Sequence, residues 1–244
     1  MSKEMISDRQ YKAFQFKEFS LEHKIAPMKI GVDGILLGSW AEVENARHIL
    51  DIGTGCGLIA MLLAQRNRKA NIIGVEIDPA TAEEASENVR SSPWPSRITI
   101  VTNSIQDFAS EARQEFDLIV SNPPFFTGGT LSLNENRLAV RHTTKLSHSD
   151  LFAAVRKLLS QEGSFSVILP YLEGRRFIEM VEAYGFHLKR LSHVHPTPGG
   201  KVERMLITLG RRRSEVEQES VTIRNLDGSF SDQYRSLTSD FYIE

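Results

Sequence analysis

Short apolar runs rich in β-branched residues alternate with segments of helical periodicity from residue 47 onward, and this alternation restricts the fold more than any other feature. Most runs lack a regular apolar–polar pattern, which is typical of strands covered on both faces of a parallel sheet. Repeated strand–helix–strand units predict a doubly wound α/β fold with a mostly parallel sheet. The sequence predicts strands at residues 48–52, 71–77, 98–101, 116–121, 164–169, 186–195 and 204–209, and helices at residues 57–66, 79–90, 104–113, 148–160 and 174–184.

Local signals define the ends of several elements. Asp78 followed by Pro79 is typical of an N-cap and the first helical position. Ser147, with Asp150 three residues later, resembles a capping box. The segment "PTPGGKVE" between the last two predicted strands is too short for a crossover helix. We therefore expect these strands to form an antiparallel hairpin at the edge of the sheet.

The chain divides into three predicted parts. Residues 1–46 contain "FQFKEFSLEH", which predicts a hairpin, and "DGILLGSWA", which predicts a short helix, and we expect them to form an N-terminal cap. Residues 47–211 carry the α/β core. Residues 212–244 include a turn, "NLDGSFSD", and we expect them to pack on the core as an appendage.

Composition excludes several classes of protein. The net charge of −2 means that a nucleic-acid partner would have to be bound by a local basic patch or by the geometry of a site. The single cysteine, Cys56, excludes an internal disulfide and a cysteine-based zinc site, and since the histidines show no ligand spacing we predict no metal. The N-terminus lacks a signal-peptide pattern and no window approaches 18 apolar residues, so we expect a cytoplasmic protein. Oligomeric state stays open, with a monomer favoured.

A glycine-rich loop follows the first core strand. In "ILDIGTGCGLIAML" the glycines 53, 55 and 57 permit a tight turn and let a ligand approach the backbone, while the following helix offers free N–H groups. The spacing G-x-G-x-G differs from the G-x-G-x-x-G of dinucleotide-binding proteins. Asp51 lies just upstream, and Glu76 ends the next strand, where a carboxylate can accept hydrogen bonds from ribose hydroxyls. We interpret Cys56 as a packing residue of this loop.

The acid, the glycine loop and the acid at the next strand end together resemble class I S-adenosylmethionine-dependent methyltransferases, which have a Rossmann-like fold. The resemblance implies that the loop carries the methionine portion of the cofactor and that Glu76 holds its ribose. The stretch "VTNSIQDF" departs from the family, because Ser104 stands where an adenine-binding acid is common and Asp107 comes three residues later. The cofactor site that the resemblance implies comprises Asp51, Gly53, Gly55, Gly57, Glu76, Ile77 and Ser104, with the choice between Ser104 and Asp107 open.

The motif "SNPPFF" ends the fourth core strand and resembles the N-P-P-F/Y signature of amino methyltransferases. An exocyclic amine is a poor nucleophile because its lone pair is delocalised. The side-chain carbonyl of Asn122 and the backbone carbonyl of Pro123 can accept its two N–H groups, and the prolines stiffen this turn. Phe125 can stack on a base, an interaction worth roughly 1–3 kcal/mol. We therefore predict a catalytic motif at Asn122, Pro123, Pro124 and Phe125.

Nearly the whole chain resembles the bacterial tRNA1(Val) adenine-N6 methyltransferases, which modify position 37. The likeness includes "FKEFSLEHKIAPMKIGVDGILLGSWA", "VEIDPATAEEASENVRSSPW" and the C-terminal "SFSDQYRSLTSDFYIE". It implies tRNA as partner and S-adenosylmethionine as cofactor, converted to S-adenosylhomocysteine. It also implies that Met28, Lys29, Gly31 and Asp33 lie near the methionine end of the cofactor.

The long polar stretch after the motif, residues 127–146, contains a basic cluster that we predict to contact RNA phosphates: Arg137, Arg141, His142 and Lys145. Two alternatives share the same motif chemistry, namely a protein glutamine N5-methyltransferase and another rRNA or DNA amino-methyltransferase. Residues 1–46 are too short and too aromatic for the helical N-terminal domain of the glutamine-modifying family, and the chain has no room for a separate DNA-reading domain. A protein that senses the cofactor without catalysis would not need the Asn122 acceptor.

Overall fold

The structure, a computed structural model, describes residues 13–26, 30–124 and 146–243. Its strands are β1 (Phe14–Gln15), β2 (Ser20–Leu21), β3 (His48–Ile52), β4 (Asn71–Glu76), β5 (Ile98–Thr102), β6 (Phe116–Ser121), β7 (Leu159–Pro170), β8 (His187–His195), β9 (Arg204–Gly210) and β10 (Glu217–Thr222). Its helices are α1 (Val32–Trp40), α2 (Leu58–Arg66), α3 (Pro79–Ser91), α4 (Ile105–Glu111), α5 (His148–Leu158), α6 (Tyr171–Met180) and α7 (Asp232–Thr238), with a short 3-10 turn at Glu182–Tyr184. Every strand and helix predicted from the sequence is present.

One eight-stranded sheet, in the order β10-β8-β9-β7-β6-β3-β4-β5, forms the centre of the described chain. The pairs β3–β4, β4–β5, β3–β6, β6–β7 and β8–β10 are parallel, which confirms the mostly parallel sheet. Strands β8 and β9 form the predicted antiparallel hairpin, and β7 also pairs with β9 in the antiparallel sense. The predicted position of this hairpin at the sheet edge is wrong, because β10 pairs with β8 beyond it. The sheet thus continues past residue 211 into the segment that we assigned to the C-terminal appendage.

Helices cover both faces of the sheet, and each face has its own apolar cluster. One cluster contains buried residues of α1, α2 and the two terminal segments, and the other contains those of α4, α5 and α6. The central strands supply side chains to both clusters, for example Ile49 to the first and Leu50 to the second. Burial on both faces explains why these strands read as continuous apolar runs in the sequence.

The helix starts follow their sequence signals. The side chain of Asp78 accepts a hydrogen bond from the Thr81 amide at the beginning of α3. Ser147 and Asp150 form the reciprocal capping box at the beginning of α5. Both predicted caps are therefore confirmed.

The N-terminal hairpin and the C-terminal segment pack on each other. Strands β1 and β2 pair in the antiparallel sense, as predicted. The Lys17 amide donates to the Phe241 carbonyl at 2.8 Å, and the rings of Phe16 and Tyr242 lie 6.4 Å apart. The hydroxyls of Tyr242 and Tyr234 are hydrogen-bonded at 2.9 Å. The two ends of the chain thus close one side of the core together.

No helix in ranges 13–26, 30–124 and 146–243 has the length and apolarity needed to cross a lipid bilayer. Within the same ranges, no three His, Cys, Asp or Glu side chains are grouped so that they could hold a metal ion.

Candidate active site

Three neighbouring strands end at the same level of the sheet. Ile52 of β3 pairs with Val75 of β4 and with Ser121 of β6. The next residues are Gly53 after β3, Glu76 at the end of β4 and Asn122 after β6. Because neighbouring strands in a sheet lie about 4.8 Å apart, these three residues form one row across the sheet. The Ser121 hydroxyl donates to the Ile52 carbonyl at 3.0 Å and joins two of the strand ends. The glycine loop, the acid and the asparagine predicted from separate motifs are therefore adjacent.

The backbone of the glycine loop is open at two of its three glycines. Gly53, Gly55 and Gly57 have φ values of 70°, 57° and 89°, a region that favours glycine. A Cβ atom at Gly53 or Gly55 would meet no described atom within 4 Å, so the loop faces open space at these residues. Gly57 is the N-cap of α2 and provides no side-chain cap. Of the first amides of this helix, Leu58 interacts with Cys56 and Ala60 with Asp51.

Asp51 lies beneath the loop and is fully buried. Its Oδ2 accepts a hydrogen bond from the Thr54 hydroxyl at 2.7 Å, while its Oδ1 has no partner among the described residues. Burial raises the pKa of Asp51 to about 7, against the opposing effect of the Thr54 hydroxyl. The unpaired oxygen is the kind of buried acceptor that a cationic ligand group would satisfy.

Glu76 contacts the glycine loop directly. Its Oε2 accepts from the Gly55 amide at 3.0 Å, and its Oε1 accepts from the Asp78 amide at 3.1 Å. One carboxylate therefore fixes both the loop and the start of α3. The next residue, Ile77, exposes 41% of its surface, an apolar patch beside the acid at the end of β4.

Asn122 directly follows β6, and its Oδ1 is buried without a hydrogen-bond partner among the described residues. Pro123 is buried and Pro124 is exposed. Within the described residues, the side-chain carbonyl of Asn122 therefore has no donor, and it lies at the level of the glycine loop. Phe125, the fourth residue of the motif, lies outside the described residues.

Ser104 is the N-cap of α4, the helix that follows β5. Its hydroxyl accepts from the Asp107 amide at 3.0 Å and donates to the Asp107 carboxylate at 2.7 Å. Both side chains are exposed or half-buried one strand beyond Glu76. Ser104 and Asp107 are hydrogen-bonded to each other, so the choice between them as the adenine-binding residue stays open.

Helix α1 reaches the site across α2. A Cβ atom at Gly34 would lie 2.9 Å from the Leu58 side chain, and one at Gly38 would lie 2.7 Å from that of Leu62, so glycine permits this close crossing. Asp33, in the first turn of α1, forms an ion pair at 2.8 Å with Arg204 at the start of β9. Asp33 thus points to the β9 side of the row. Gly31 is the N-cap of α1, while Met28 and Lys29 lie outside the described residues.

Cys56 occupies the middle of the glycine loop and is buried. Burial raises the pKa of its thiol to about 12, so the thiol stays protonated at neutral pH. This agrees with its interpretation as a packing residue. The four residues predicted to bind RNA, Arg137, Arg141, His142 and Lys145, lie outside the described residues.

Sequence reasoning missed two residues of the site, Thr54 and Arg204. Thr54 holds the carboxylate of Asp51, and Arg204 holds that of Asp33. Thr54 lies inside the glycine motif, so its hydroxyl could have been predicted as a hydrogen-bond donor to the nearby Asp51. Arg204 was assigned only to a strand, because its partner is 171 residues away in the sequence.

The residues present fit an S-adenosylmethionine site. An uncapped helix start and an open glycine turn suit the carboxylate end of an amino-acid ligand. The unpaired oxygen of Asp51 suits its ammonium group, and Glu76 lies where a ribose is bound in doubly wound folds. Asn122 completes the row on the opposite side.

A doubly wound sheet with this row of residues defines a class I S-adenosylmethionine-dependent methyltransferase. The methyltransferase small domain family matches residues 33–172, more than half of the chain. The protein named tRNA1(Val) (adenine(37)-N6)-methyltransferase from Yersinia pseudotuberculosis serotype O:3 (strain YPIII) is 40% identical over 231 residues, which cover 94% of this chain and 92% of the relative. The chain therefore belongs to the tRNA1(Val) (adenine(37)-N6)-methyltransferase family, and the resemblance drawn from its motifs is confirmed.

Solved structures support the fold. The crystal structure of a predicted O-methyltransferase from Agrobacterium tumefaciens has a TM-score of 0.67 at 20% identity and covers 86% of this chain and 96% of that chain. NSun6 from Pyrococcus horikoshii, in complex with SFG, has a TM-score of 0.57 at 14% identity and covers 75% of this chain and 53% of that chain. At such identities the likeness concerns the fold alone, and it confirms the Rossmann-like fold predicted from the sequence.

Proposed function

We propose that this chain transfers a methyl group from S-adenosylmethionine to the exocyclic N6 of adenine 37, beside the anticodon of tRNA1(Val). The observation that carries the proposal is the buried Oδ1 of Asn122, which has no partner among the described residues and lies level with the glycine loop. The names of the curated relatives support the choice of base and of tRNA.

The cofactor would be held by residues of three strand ends. We assign its amino-acid portion to Asp51 and the loop glycines, its ribose to Glu76, and its adenine to Ile77 and the Ser104–Asp107 pair. Lys29 and Asp33 would close the methionine end from the N-terminal cap, residues 1–46. S-adenosylmethionine supplies a methyl group on a cationic sulfonium, so the accepting amine needs no strong general base.

The amine would be oriented by two acceptors. The side-chain carbonyl of Asn122 and the backbone carbonyl of Pro123 would accept its two N–H groups, which localises the lone pair and directs it at the methyl carbon. Positioning of this kind, together with preorganised dipoles, accounts for large parts of many enzymatic rate enhancements. The target base must leave its stack to reach the row, and Phe125 would then stack on it.

The tRNA would be bound by residues close to the motif in sequence. Arg137, Arg141, His142 and Lys145 would bind phosphates around the extruded base. Removing one arginine–phosphate ion pair lowers the salt dependence of RNA binding, so Arg141→Ala would give a shallower slope of log affinity against log salt concentration. A slope equal to that of the wild type would remove Arg141 from the interface. Because the proposed substrate is a tRNA, we expect the enzyme to be cytoplasmic.

Label transfer tests the function. Methyl-labelled S-adenosylmethionine is offered with wild-type protein and separate samples of unmodified tRNA1(Val), genomic DNA and a protein extract, and Asn122→Ala serves as the blank. A second tRNA1(Val) transcript carries guanosine at position 37. We expect label in the unchanged tRNA, recovered as N6-methyladenosine, and none in the guanosine transcript.

Other outcomes assign other functions. Label in the guanosine transcript would move the target to another adenine. Label confined to protein would contradict the tRNA proposal and favour glutamine methylation, and label in DNA would favour a DNA amino-methyltransferase.

A further inference from the structure

Two buried polar side chains of α3, Glu84 and Asn88, join the N-terminal segment 22–26 to the glycine loop. They are four residues apart and therefore lie on one face of the helix. Each is only 4% exposed, so each needs partners for its polar atoms. Those partners are backbone groups of two other segments, and we call the two side chains together with these hydrogen bonds the α3 clamp.

Glu84 binds three successive backbone amides. Its Oε1 accepts from Lys24 and from Ile25, and the second of these distances is 2.9 Å. Its Oε2 accepts from Ala26 at 2.9 Å. Hydrogen bonds to a carboxylate are among the strong ones in proteins. A glutamine of the same shape cannot replace this arrangement, because its NH₂ group would face an amide donor.

Asn88 connects the same segment to the loop. Its Oδ1 accepts from the Glu22 amide at 2.9 Å, and its Nδ2 donates to the Glu22 carbonyl at 2.8 Å. The same Nδ2 donates to the Cys56 carbonyl at 2.9 Å. Between the two clamp residues, Ala85 packs on the loop, since a Cβ at Gly57 would lie 3.8 Å from its methyl carbon.

The loop is thus held from two sides. Glu76 binds the Gly55 amide from β4, and Asn88 binds the carbonyl of the next residue, Cys56, from α3. The three glycines around these points restrict the backbone little, so such anchors decide how the loop is presented to a ligand.

We propose that Glu84 and Asn88 are positioning residues for methyl transfer, which couple segment 22–26 to the cofactor-binding form of the glycine loop. The inference rests on the proposed function, since it takes the loop to be the cofactor site. Coupling between two sites is reciprocal. Cofactor binding should therefore protect the amides that Glu84 holds, and disruption of the clamp should weaken cofactor binding.

The test uses the full chain and three variants: Glu84→Gln, Asn88→Asp and the matched control Glu83→Gln. Glu83 lies on the same helix but is exposed, and its carboxylate forms a surface ion pair with Arg90 at 2.9 Å, so its replacement should change little. Titration calorimetry with S-adenosylhomocysteine should show affinity lowered about fivefold or more in the two clamp variants, the lower end of typical coupling between sites. Affinity in Glu83→Gln should equal that of the wild type.

Two further readouts separate positioning from mere stability. A variant that only unfolds more readily loses active enzyme, so kcat falls while KM for S-adenosylmethionine is unchanged. A positioning role instead raises KM and leaves kcat largely recovered at saturating cofactor. In hydrogen exchange, S-adenosylhomocysteine should slow the amides of residues 22–26 in the wild type and in Glu83→Gln but not in Glu84→Gln.

The proposal is overturned if the wild type binds S-adenosylhomocysteine while exchange in residues 22–26 does not change and both clamp variants bind equally well. That result would leave the proposed function intact and give the clamp a purely structural role. Absence of S-adenosylhomocysteine binding by the wild type would instead overturn the proposed cofactor site and the clamp together.

Discussion

The glycine loop and the α3 clamp each bury a carboxylate, and the fold satisfies the two differently. Glu84 accepts three backbone amides that occupy both of its oxygens. Asp51 accepts one hydroxyl, and its other oxygen has no partner in the described part of the chain. An unpaired buried polar atom is costly, and a ligand that supplies a donor removes that cost. Glu84 is therefore satisfied within the chain, whereas Asp51 keeps one oxygen available at the candidate site; Ser39, Gln65 and Ser192 also carry buried unpaired atoms, so incomplete bonding alone does not define the site.

Asn122 belongs with Asp51 in this comparison. Its Oδ1 is also buried without a partner among the described residues, and it lies in the same row of strand ends. Asp51 lies in β3 two residues before Gly53, and Asn122 follows the adjacent strand β6. Under the proposed function, Asp51 would serve the cofactor and Asn122 the substrate amine.

The largest effect is expected at Asn122. Asn122→Ala should lower the rate of methyl transfer by at least about 10²–10³-fold, the usual cost of removing one preorganised polar group that stabilises a transition state. Cofactor affinity should stay within a few-fold, because the proposed partner of this side chain is the substrate amine and not the cofactor. Single-turnover rates and calorimetry measure the two quantities, and an equal decrease in both would contradict the assigned role.

Glu76→Ala should weaken S-adenosylhomocysteine binding about 10- to 100-fold, since hydrogen bonds to charged groups contribute about 1.5–3 kcal/mol. Part of this effect comes from the Gly55 amide, which Glu76 positions. Titration calorimetry gives the affinity, and Glu76→Gln, which keeps the shape, should fall between the wild type and alanine. Unchanged affinity in both variants would remove Glu76 from the site.

Asp51 should make stability and binding depend on pH. Because burial raises its pKa to about 7, the folded protein keeps a proton between roughly pH 4 and 7 that the unfolded chain has released. This stabilising contribution is complete below about pH 4 and is lost as pH rises through 7, by on the order of 4 kcal/mol. Over the same range, ionised Asp51 should bind the cofactor's ammonium group more tightly.

Asp51→Asn should remove both pH dependences. Denaturant unfolding of the variant, compared with the wild type between pH 4 and 8, should lack the decline, and its cofactor affinity should be flat through pH 7. A wild-type affinity that is already independent of pH would show that Asp51 does not face the bound cofactor.

The smallest effect is expected at Ser104. Ser104→Ala removes the N-cap of α4 and should lower the free energy of unfolding by about 1 kcal/mol. If Ser104 forms a neutral hydrogen bond to the cofactor adenine, the variant loses it, and cofactor binding should weaken by up to about tenfold. Lower stability with unchanged affinity would leave Ser104 as a helix cap and assign the adenine-binding role elsewhere.

Local signals predicted most of the fold. The strands of the parallel core were recognised because each is a buried apolar run. The starts of α3 and α5 were recognised because capping residues bind backbone amides within one helical turn. Strand β10 was missed because its first four residues, "EQES", are exposed and lack any apolar pattern. Helix α7 was missed because it is short, with only Tyr234 and Thr238 buried.

The sequence predicted those site residues that belong to short motifs. The loop glycines and the strand-end residues Asp51, Glu76 and Asn122 were found in this way, and the structure brings them together. Besides Thr54 and Arg204, the two clamp residues Glu84 and Asn88 were missed, although their sequence positions carried a signal. Both are polar residues on the inward face of α3, beside the buried Ala85, and such residues require partners.

The sequence alone specified the backbone conformations and chemical groups of the site, because a glycine at positive φ or a cap acts on its immediate neighbours. Tertiary structure decided which of these groups stay open. Glu84 reaches amides 58 to 60 residues away, and Arg204 reaches Asp33 across 171 residues. No local pattern encodes such partners, since they exist only after the sheet has assembled and α1 and α3 have packed against it. The orphaned oxygens of Asp51 and Asn122 are likewise a property of that packing, which buries them and supplies no donor from the described chain.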